Sequence, residues 1–184
     1  MKADVEPLLT VEDYRATPEG PPWFQLVEGE LIRSPSPQLI HQEIVGNLFW
    51  LLTCYLEKNP RGEVFFAPLD VYLSPHDVFQ PDLVYVSRER AHILASDGVH
   101  GAPDLAVEIL SPSTADLDKT RKRKIYGREG VRELWLVDPV ACEIQVFEFA
   151  KSASKPARTV ANGGSLESGL FPGLKIALGV VFKQ

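Results

Sequence analysis

The sequence predicts a mixed α/β domain, and three stretches carry that prediction. Residues 102–139 read as an apolar strand, a basic helix and a second apolar strand. Between Pro37 and Glu57, apolar side chains recur at helical spacing (Ile40, Ile44, Leu48, Leu52, Leu56), so a long helix with one buried face is expected. Glu143-Ile144-Gln145-Val146-Phe147-Glu148-Phe149 alternates, which marks a half-exposed strand paired with the one before it. At 184 residues the chain is most simply one domain, 1–184, long enough for a sizeable core.

The remaining elements follow in chain order. Thr10 caps a helical turn through Tyr14, and the prolines from Pro18 to Pro22 break it. Trp23 to Val27 and Glu30 to Arg33 flank Glu28-Gly29, a β-hairpin signal. Ser36 is the candidate N-cap of the long helix, which Asn59-Pro60-Arg61-Gly62 ends. Glu63 to Phe66 and Leu69 to Leu73 are short strands. Ser74-Pro75-His76-Asp77 is a polar turn, and Gln80-Pro81-Asp82 leads into the strand Leu83 to Val86. Residues 87–101 read as a loop with a helical turn at Ala91 to Leu94. Thr114 is a candidate N-cap, Gly130 a helix stop, and the second strand of the central unit runs from about Arg132 to Val137. Lys151 to Arg158 is a polar loop, and the tail adds edge strands and turns.

Composition narrows the function classes. No apolar run approaches the roughly 18 residues of a membrane span, and Met1 to Glu6 lack the apolar core of a signal peptide. Cys54 and Cys142 are far apart without metal-ligand spacing, so buried free thiols in a reducing cytoplasm are expected. The net charge of −6 argues against a general nucleic-acid binder. A nucleic-acid role must rest on a local patch, and Lys119, Arg121, Lys122, Arg123, Lys124 and Arg128 form the candidate. Such runs also commonly face solvent.

Two carboxylates stand out. Asp82 follows a proline at the head of an apolar strand, and Glu108 interrupts a later one. A charge inside a buried strand is costly unless it is paired or coordinates a metal. If the two strands are neighbours, both carboxylates face one cleft and can share a hard divalent cation such as Mg²⁺, with Mn²⁺ as a substitute. Asp118, Lys122 and Tyr126 recur every four residues, on one helix face. Lys122 on that helix is the candidate for positioning a water. The plainer readings are an ion pair between Glu108 and Lys122 or Arg121, a core role for Tyr126, a strand-opening turn at Asp104, and helix capping by His41.

These residues resemble a known family. Gln80-Pro81-Asp82, Val107 to Thr114, Asp118, Lys122, Tyr126, Gly130-Val131 and Trp135 to Pro139 look like the motif set of the Uma-type putative restriction endonucleases. Leu26 to Leu31, Ser34 to Pro37 and His41-Gln42 add to the likeness, which covers about residues 20–150. That family belongs to the PD-(D/E)xK nuclease superfamily. The resemblance implies a restriction-endonuclease-like core, a mixed β-sheet flanked by helices, with the N-terminal hairpin and long helix added. It implies Asp82 and Glu108 as metal ligands. The position two after Glu108 is Leu110 rather than lysine. The resemblance implies that Lys122 on the following helix replaces it, supported by Asp118 and Tyr126. His41 or Glu43 would complete the cleft.

The expected function is Mg²⁺-dependent hydrolysis of DNA phosphodiester bonds by Asp82, Glu108 and Lys122. The alternative, which the acidic charge and Leu110 favour, is a catalytically inactive nuclease-fold module that binds nucleic acid or protein. A hydrolase of another phosphate ester is a third reading. The apolar tail after Leu170 is the candidate contact for a homodimer.

Overall fold

A computed structural model describes residues 7–18 and 20–183, so the expectation for Met1 to Glu6 lies outside the described residues. The chain opens with α1 (Val11–Arg15), held by a capping box in which Thr10 and Asp13 exchange hydrogen bonds. Then come β1 (Phe24–Val27) and β2 (Glu30–Arg33). Their hairpin pairs Val27 with Glu30, leaving Glu28 and Gly29 as a two-residue turn with φ of 51° and 75°. Positive φ at both central positions matches the twist of the strands. The long helix α2 (Leu39–Lys58) follows. After it run β3 (Gly62–Phe66), β4 (Val71–Ser74), β5 (Asp77–Phe79) and β6 (Leu83–Ser87). A 3₁₀ turn, Arg88–Ile93, leads to β7 (Leu94–Ala95), β8 (Gly98–His100) and β9 (Leu105–Ile109).

The helical run 115–129, here α3, contains a π-helical turn over Asp118–Lys122 and ends at Gly130, whose φ is 94°. Only a residue without Cβ takes that left-handed cap cheaply. The chain finishes with β10 (Glu133–Asp138), β11 (Glu143–Glu148), β12 (Arg158–Ala161), β13 (Ser165–Leu166), β14 (Ile176–Ala177) and the single turn α4 (Leu178–Val181).

The main sheet has six strands in the order β12-β11-β10-β9-β6-β3. Only β9 and β10 run parallel in it, because the crossover α3 joins them. This is the strand–helix–strand unit that the sequence predicts. One face of the sheet packs on α2, where Ile44, Leu48 and Leu52 meet Leu83, Val107, Trp135 and Val137. The other packs on α3 and the N-terminal region. There Ile125, Tyr126, Val27 and Phe79 meet Ala106, Leu110, Leu134 and Leu136. Strand β9 is therefore buried on both faces, which is why it reads as an apolar run.

Several expectations are corrected. Six of the strands between residues 24 and 100 build a second sheet, β2-β1-β5-β4-β8-β7, beside the main one. Its strands β5, β7 and β8 have two or three residues each, too short to show a period. The 87–101 stretch therefore holds strands as well as a 3₁₀ turn. Ser36 does not cap α2. The N-cap is Gln38, without a side-chain bond, since Ser36 lies two residues too early. Thr114 precedes α3 but caps nothing through its side chain, which pairs with the Ser111 hydroxyl at 2.9 Å. The apolar tail turns inward: Phe171, Ile176, Leu178, Val181 and Phe182 join the α2 core, so those side chains are not available for a subunit contact. Cys54 and Cys142 are free, and half-buried rather than buried. Among the described residues no helix is long and apolar enough to cross a membrane.

Candidate active site

The register of β6 and β9 brings the two carboxylates together. Leu83 pairs with Val107 in this antiparallel ladder, so Asp82, one residue earlier, stands opposite Glu108. The Asp82 backbone is fixed as well, since the Ala67 N–H donates to the Asp82 carbonyl at 3.1 Å. The Asp82 carboxylate is held at both oxygens. Oδ2 accepts from the Ile109 backbone N–H at 2.6 Å, and Oδ1 lies 3.0 Å from His41 Nε2. His41 is in the first turn of α2, so the long helix delivers it to the site. Its Nδ1 is buried without a hydrogen-bond partner among the described residues.

Glu108 sits deeper, with its side chain about 5% exposed. Its Oε1 accepts from the Tyr126 hydroxyl at 2.5 Å and lies 2.5 Å from Lys122 Nζ. Lys122, as deeply buried, also meets Asp118 Oδ1 at 3.1 Å. The four-residue spacing brings the stripe to one cluster, with one correction: Asp118 grips Lys122, but Tyr126 grips Glu108 rather than Lys122. The π-helical turn spans Asp118 to Lys122, the kind of local irregularity that helices often carry at functional sites. Phe79 floors the cluster. Its ring lies 5.4 Å from Lys122 Nζ and edge-to-face with Tyr126, with centroids 5.2 Å apart.

The electrostatics follow from burial and crowding. Burial pushes the Glu108 carboxyl up to about 8; Lys122 opposes this, whereas Asp118 and Asp82 add to it. For Lys122, burial alone would lower the pKa, but Glu108 and Asp118 outweigh it and the ammonium stays charged. Tyr126 is raised well above its ordinary value, by burial first and by the Glu108 charge second. One ammonium therefore serves three carboxylates, Asp82, Glu108 and Asp118. That imbalance suits a cation.

The donor set fits a hard divalent ion of the Mg²⁺ kind. Asp82 and Glu108 supply carboxylate oxygens, and Glu108 Oε2 carries no hydrogen bond from the described residues. Among the described residues no three His, Cys, Asp or Glu side chains converge as a metal cage. Mg²⁺ needs none, because it is commonly bound by one or two carboxylates together with substrate phosphates and water.

The basic run behaves differently from its expectation as a nucleic-acid patch. Lys119 lies 3.8 Å from Asp138. Arg121 clamps the β1–β2 turn, 2.9 Å from both Glu28 and Glu30. Arg128 meets Asp77 and Glu129. Arg123 donates to the Ala153 carbonyl. Lys119, Lys124 and Arg128 are exposed, and of these Lys124 meets no carboxylate among the described residues. Most of these cations hold α3 to its neighbours.

Other candidates resolve plainly. Asp104 is buried at the far end of β9, accepting from the Ser87 N–H at 2.7 Å and pairing with Arg132, so it is structural. Glu43 is exposed and takes no part in these contacts. Sequence reading missed Phe79 and the Ile109 N–H. Phe79 sits on a three-residue strand directly before Gln80-Pro81-Asp82, and that adjacency was its one available signal.

Among curated proteins none matches the chain. Its fold is similar to the crystal structure of a putative nuclease belonging to DUF820 from Anabaena variabilis ATCC 29413. The TM-score is 0.77 at 21% identity, over 95% of this chain and 97% of that one. Residues 11–179 match the family Uma2, described as "Putative restriction endonuclease", and the chain belongs to that family.

Proposed function

We propose that the chain is a divalent-metal-dependent nuclease that hydrolyses DNA phosphodiester bonds at the Asp82–Glu108 site. The observation that carries this reading is the placement of Asp82 opposite Glu108 across β6 and β9, with Lys122 against Glu108. Asp82 and Glu108 would hold Mg²⁺ or Mn²⁺. A bound divalent ion would neutralise charge on the scissile phosphate and acidify a water.

The chain's own residues have separable tasks. His41 and the Ile109 N–H fix the Asp82 carboxylate in one orientation. Tyr126 fixes Glu108. Lys122 has three ammonium protons, of which two face Glu108 and Asp118, leaving one for a water or a phosphate oxygen. Asp118 keeps that ammonium charged and in place. An exposed aromatic, Phe66, stands opposite Leu83 in β3, one register position from Asp82, and is steadied edge-to-face by Phe49. It offers a stacking surface beside the site.

The ion pairs of the basic run favour a second reading, a nuclease-fold module that binds without cutting. One experiment separates the two. Mg²⁺ and Mn²⁺ are titrated calorimetrically into wild type and Glu108→Ala, and the same proteins are incubated with plasmid and linear DNA. A nuclease gives saturable metal binding and cleavage, both lost in the variant. DNA binding that survives chelation, with no cleavage by wild type, supports the module instead.

A further inference from the structure

The main sheet has a second polar concavity, at the end of β6 away from Asp82. Ser87 lies five residue steps along the chain from Asp82, roughly 17 Å of extended strand at about 3.3 Å each, so the two places do not overlap. The cleft has a volume of about 420 Å³. Arg61, Arg88 and Arg132 line it, over the hydroxyl-bearing residues Tyr85 and Ser87. Pro60 and Leu170 give it an apolar wall.

Its charge is unusual for this chain. Arg132 is anchored by buried Asp104 at 3.0 Å and by Glu89, which also lines the cleft, at 3.6 Å. Arg90 lies 3.6 Å from the same Asp104 oxygen, Oδ1. Arg61 and Arg88 have no acidic partner among the described residues. Counting these four arginines against Glu89 and Asp104 leaves two positive charges in excess, in a chain of net charge −6. The backbone beneath is fixed: the Arg61 carbonyl accepts from the Arg88 N–H at 2.9 Å and from the Tyr85 hydroxyl at 3.0 Å. The Ser87 hydroxyl is buried and has no hydrogen-bond partner among the described residues.

We propose that this cleft binds a phosphate monoester of nucleotide size. A monoester carries close to two negative charges at neutral pH, which matches the excess. Guanidinium groups bind phosphate oxygens in pairs, so Arg61 and Arg88 supply geometry as well as charge. The volume falls within the range of small-ligand sites, about 300–1,000 Å³. The wall of Pro60 and Leu170 suits the less polar remainder of such a ligand. The binding does not depend on the metal site.

The test is calorimetric titration of adenosine 5′-monophosphate, and separately of inorganic phosphate, into the full chain with chelator present. Wild type, Asp82→Asn and the double variant Arg61→Gln/Arg88→Gln are compared. The expected result is saturable 1:1 binding of the mononucleotide by wild type and Asp82→Asn, at least tenfold weaker in the double variant. Inorganic phosphate should bind the same site less tightly. Neither arginine side chain holds an ion pair, so the double variant should keep the wild-type circular dichroism spectrum. Should it unfold, Arg88→Lys, which keeps the charge but loses the paired donors, must still weaken binding. Absence of saturable binding, equal affinity in the arginine variants, or loss in Asp82→Asn alone would each overturn the proposal. So would a loss of duplex DNA binding in the double variant with no mononucleotide binding by wild type, since the cleft would then contact a nucleic-acid backbone.

Discussion

Lys122 Nζ lies 2.5 Å from Glu108 Oε1, with both side chains almost wholly out of solvent. Two strongly hydrated groups have been moved into the interior, and each is tolerable there only because of the other. Above about pH 8, where metal-free Glu108 is ionised, removing one partner strands the remaining charge. Lys122→Met leaves Glu108 and Asp118 facing each other without a cation. It should cost about 3–5 kcal/mol in chemical denaturation, the scale for breaking a buried pair. The double variant Glu108→Gln/Lys122→Met should recover part of that loss. A double-mutant cycle by urea unfolding gives the coupling directly, and a coupling near zero would show that the pair is not what stabilises the cluster.

The raised Glu108 pKa sets a pH dependence in the metal-free protein. The ordinary value is 4.5 and the folded value about 8. Between these limits the folded protein keeps a proton that the unfolded chain has released. The unfolded state then binds fewer protons, so stability falls as pH rises. The contribution is fully present below pH 4.5 and is lost as the pH passes through about 8. Glu108→Gln cannot ionise and should lack this slope. Thermal melts in chelator should show the variant gaining on wild type from pH 5 to pH 8.5; parallel curves would contradict the assignment.

Metal binding should reverse that sign, because a cation beside Asp82 and Glu108 favours their charged forms. At a Mg²⁺ concentration of about 100 times Kd, binding to the folded state alone would add about 2.7 kcal/mol. For a chain of this size each kcal/mol moves Tm by about 2–4 °C. Wild type should therefore gain several degrees with Mg²⁺, and Asp82→Asn should gain none. An equal gain in both would place the ion elsewhere.

Much of this site was legible because its signals are local. Pro81-Asp82 before an apolar strand and a lone glutamate in β9 marked the two carboxylates. The spacing of Asp118, Lys122 and Tyr126 marked the stripe that meets Glu108. The π-helical turn left the stripe intact, since all three side chains still reach the cluster. What escaped was set by tertiary partners. The second sheet is assembled from strands of two to four residues, whose alternation is too brief to read. Caps at Ser36 and Thr114 looked right by residue type, yet position and a competing hydroxyl decided otherwise. The basic run looked like a patch because its partners, Glu28, Glu30, Asp77 and Asp138, are distant in sequence.

That pairing changes how DNA affinity should respond to salt. Each phosphate neutralised by a free cation adds about 0.9 to the slope of log affinity against log salt on duplex DNA. Lys119, Arg121, Lys122 and Arg128 are engaged with carboxylates. If the whole run faced the backbone, the slope would approach about −5. With most of it engaged internally, a magnitude of about 2 or less is expected. Anisotropy with labelled duplex from 50 to 300 mM salt, in Ca²⁺ to suppress cleavage, measures it. Lys124→Gln should lower the slope by about one, because Lys124 is exposed and meets no carboxylate among the described residues. Arg121→Gln should leave the slope unchanged, since its guanidinium is spent on the β1–β2 turn. A steep slope that falls equally in both variants would mean that the clamp opens on binding and the run meets the DNA after all.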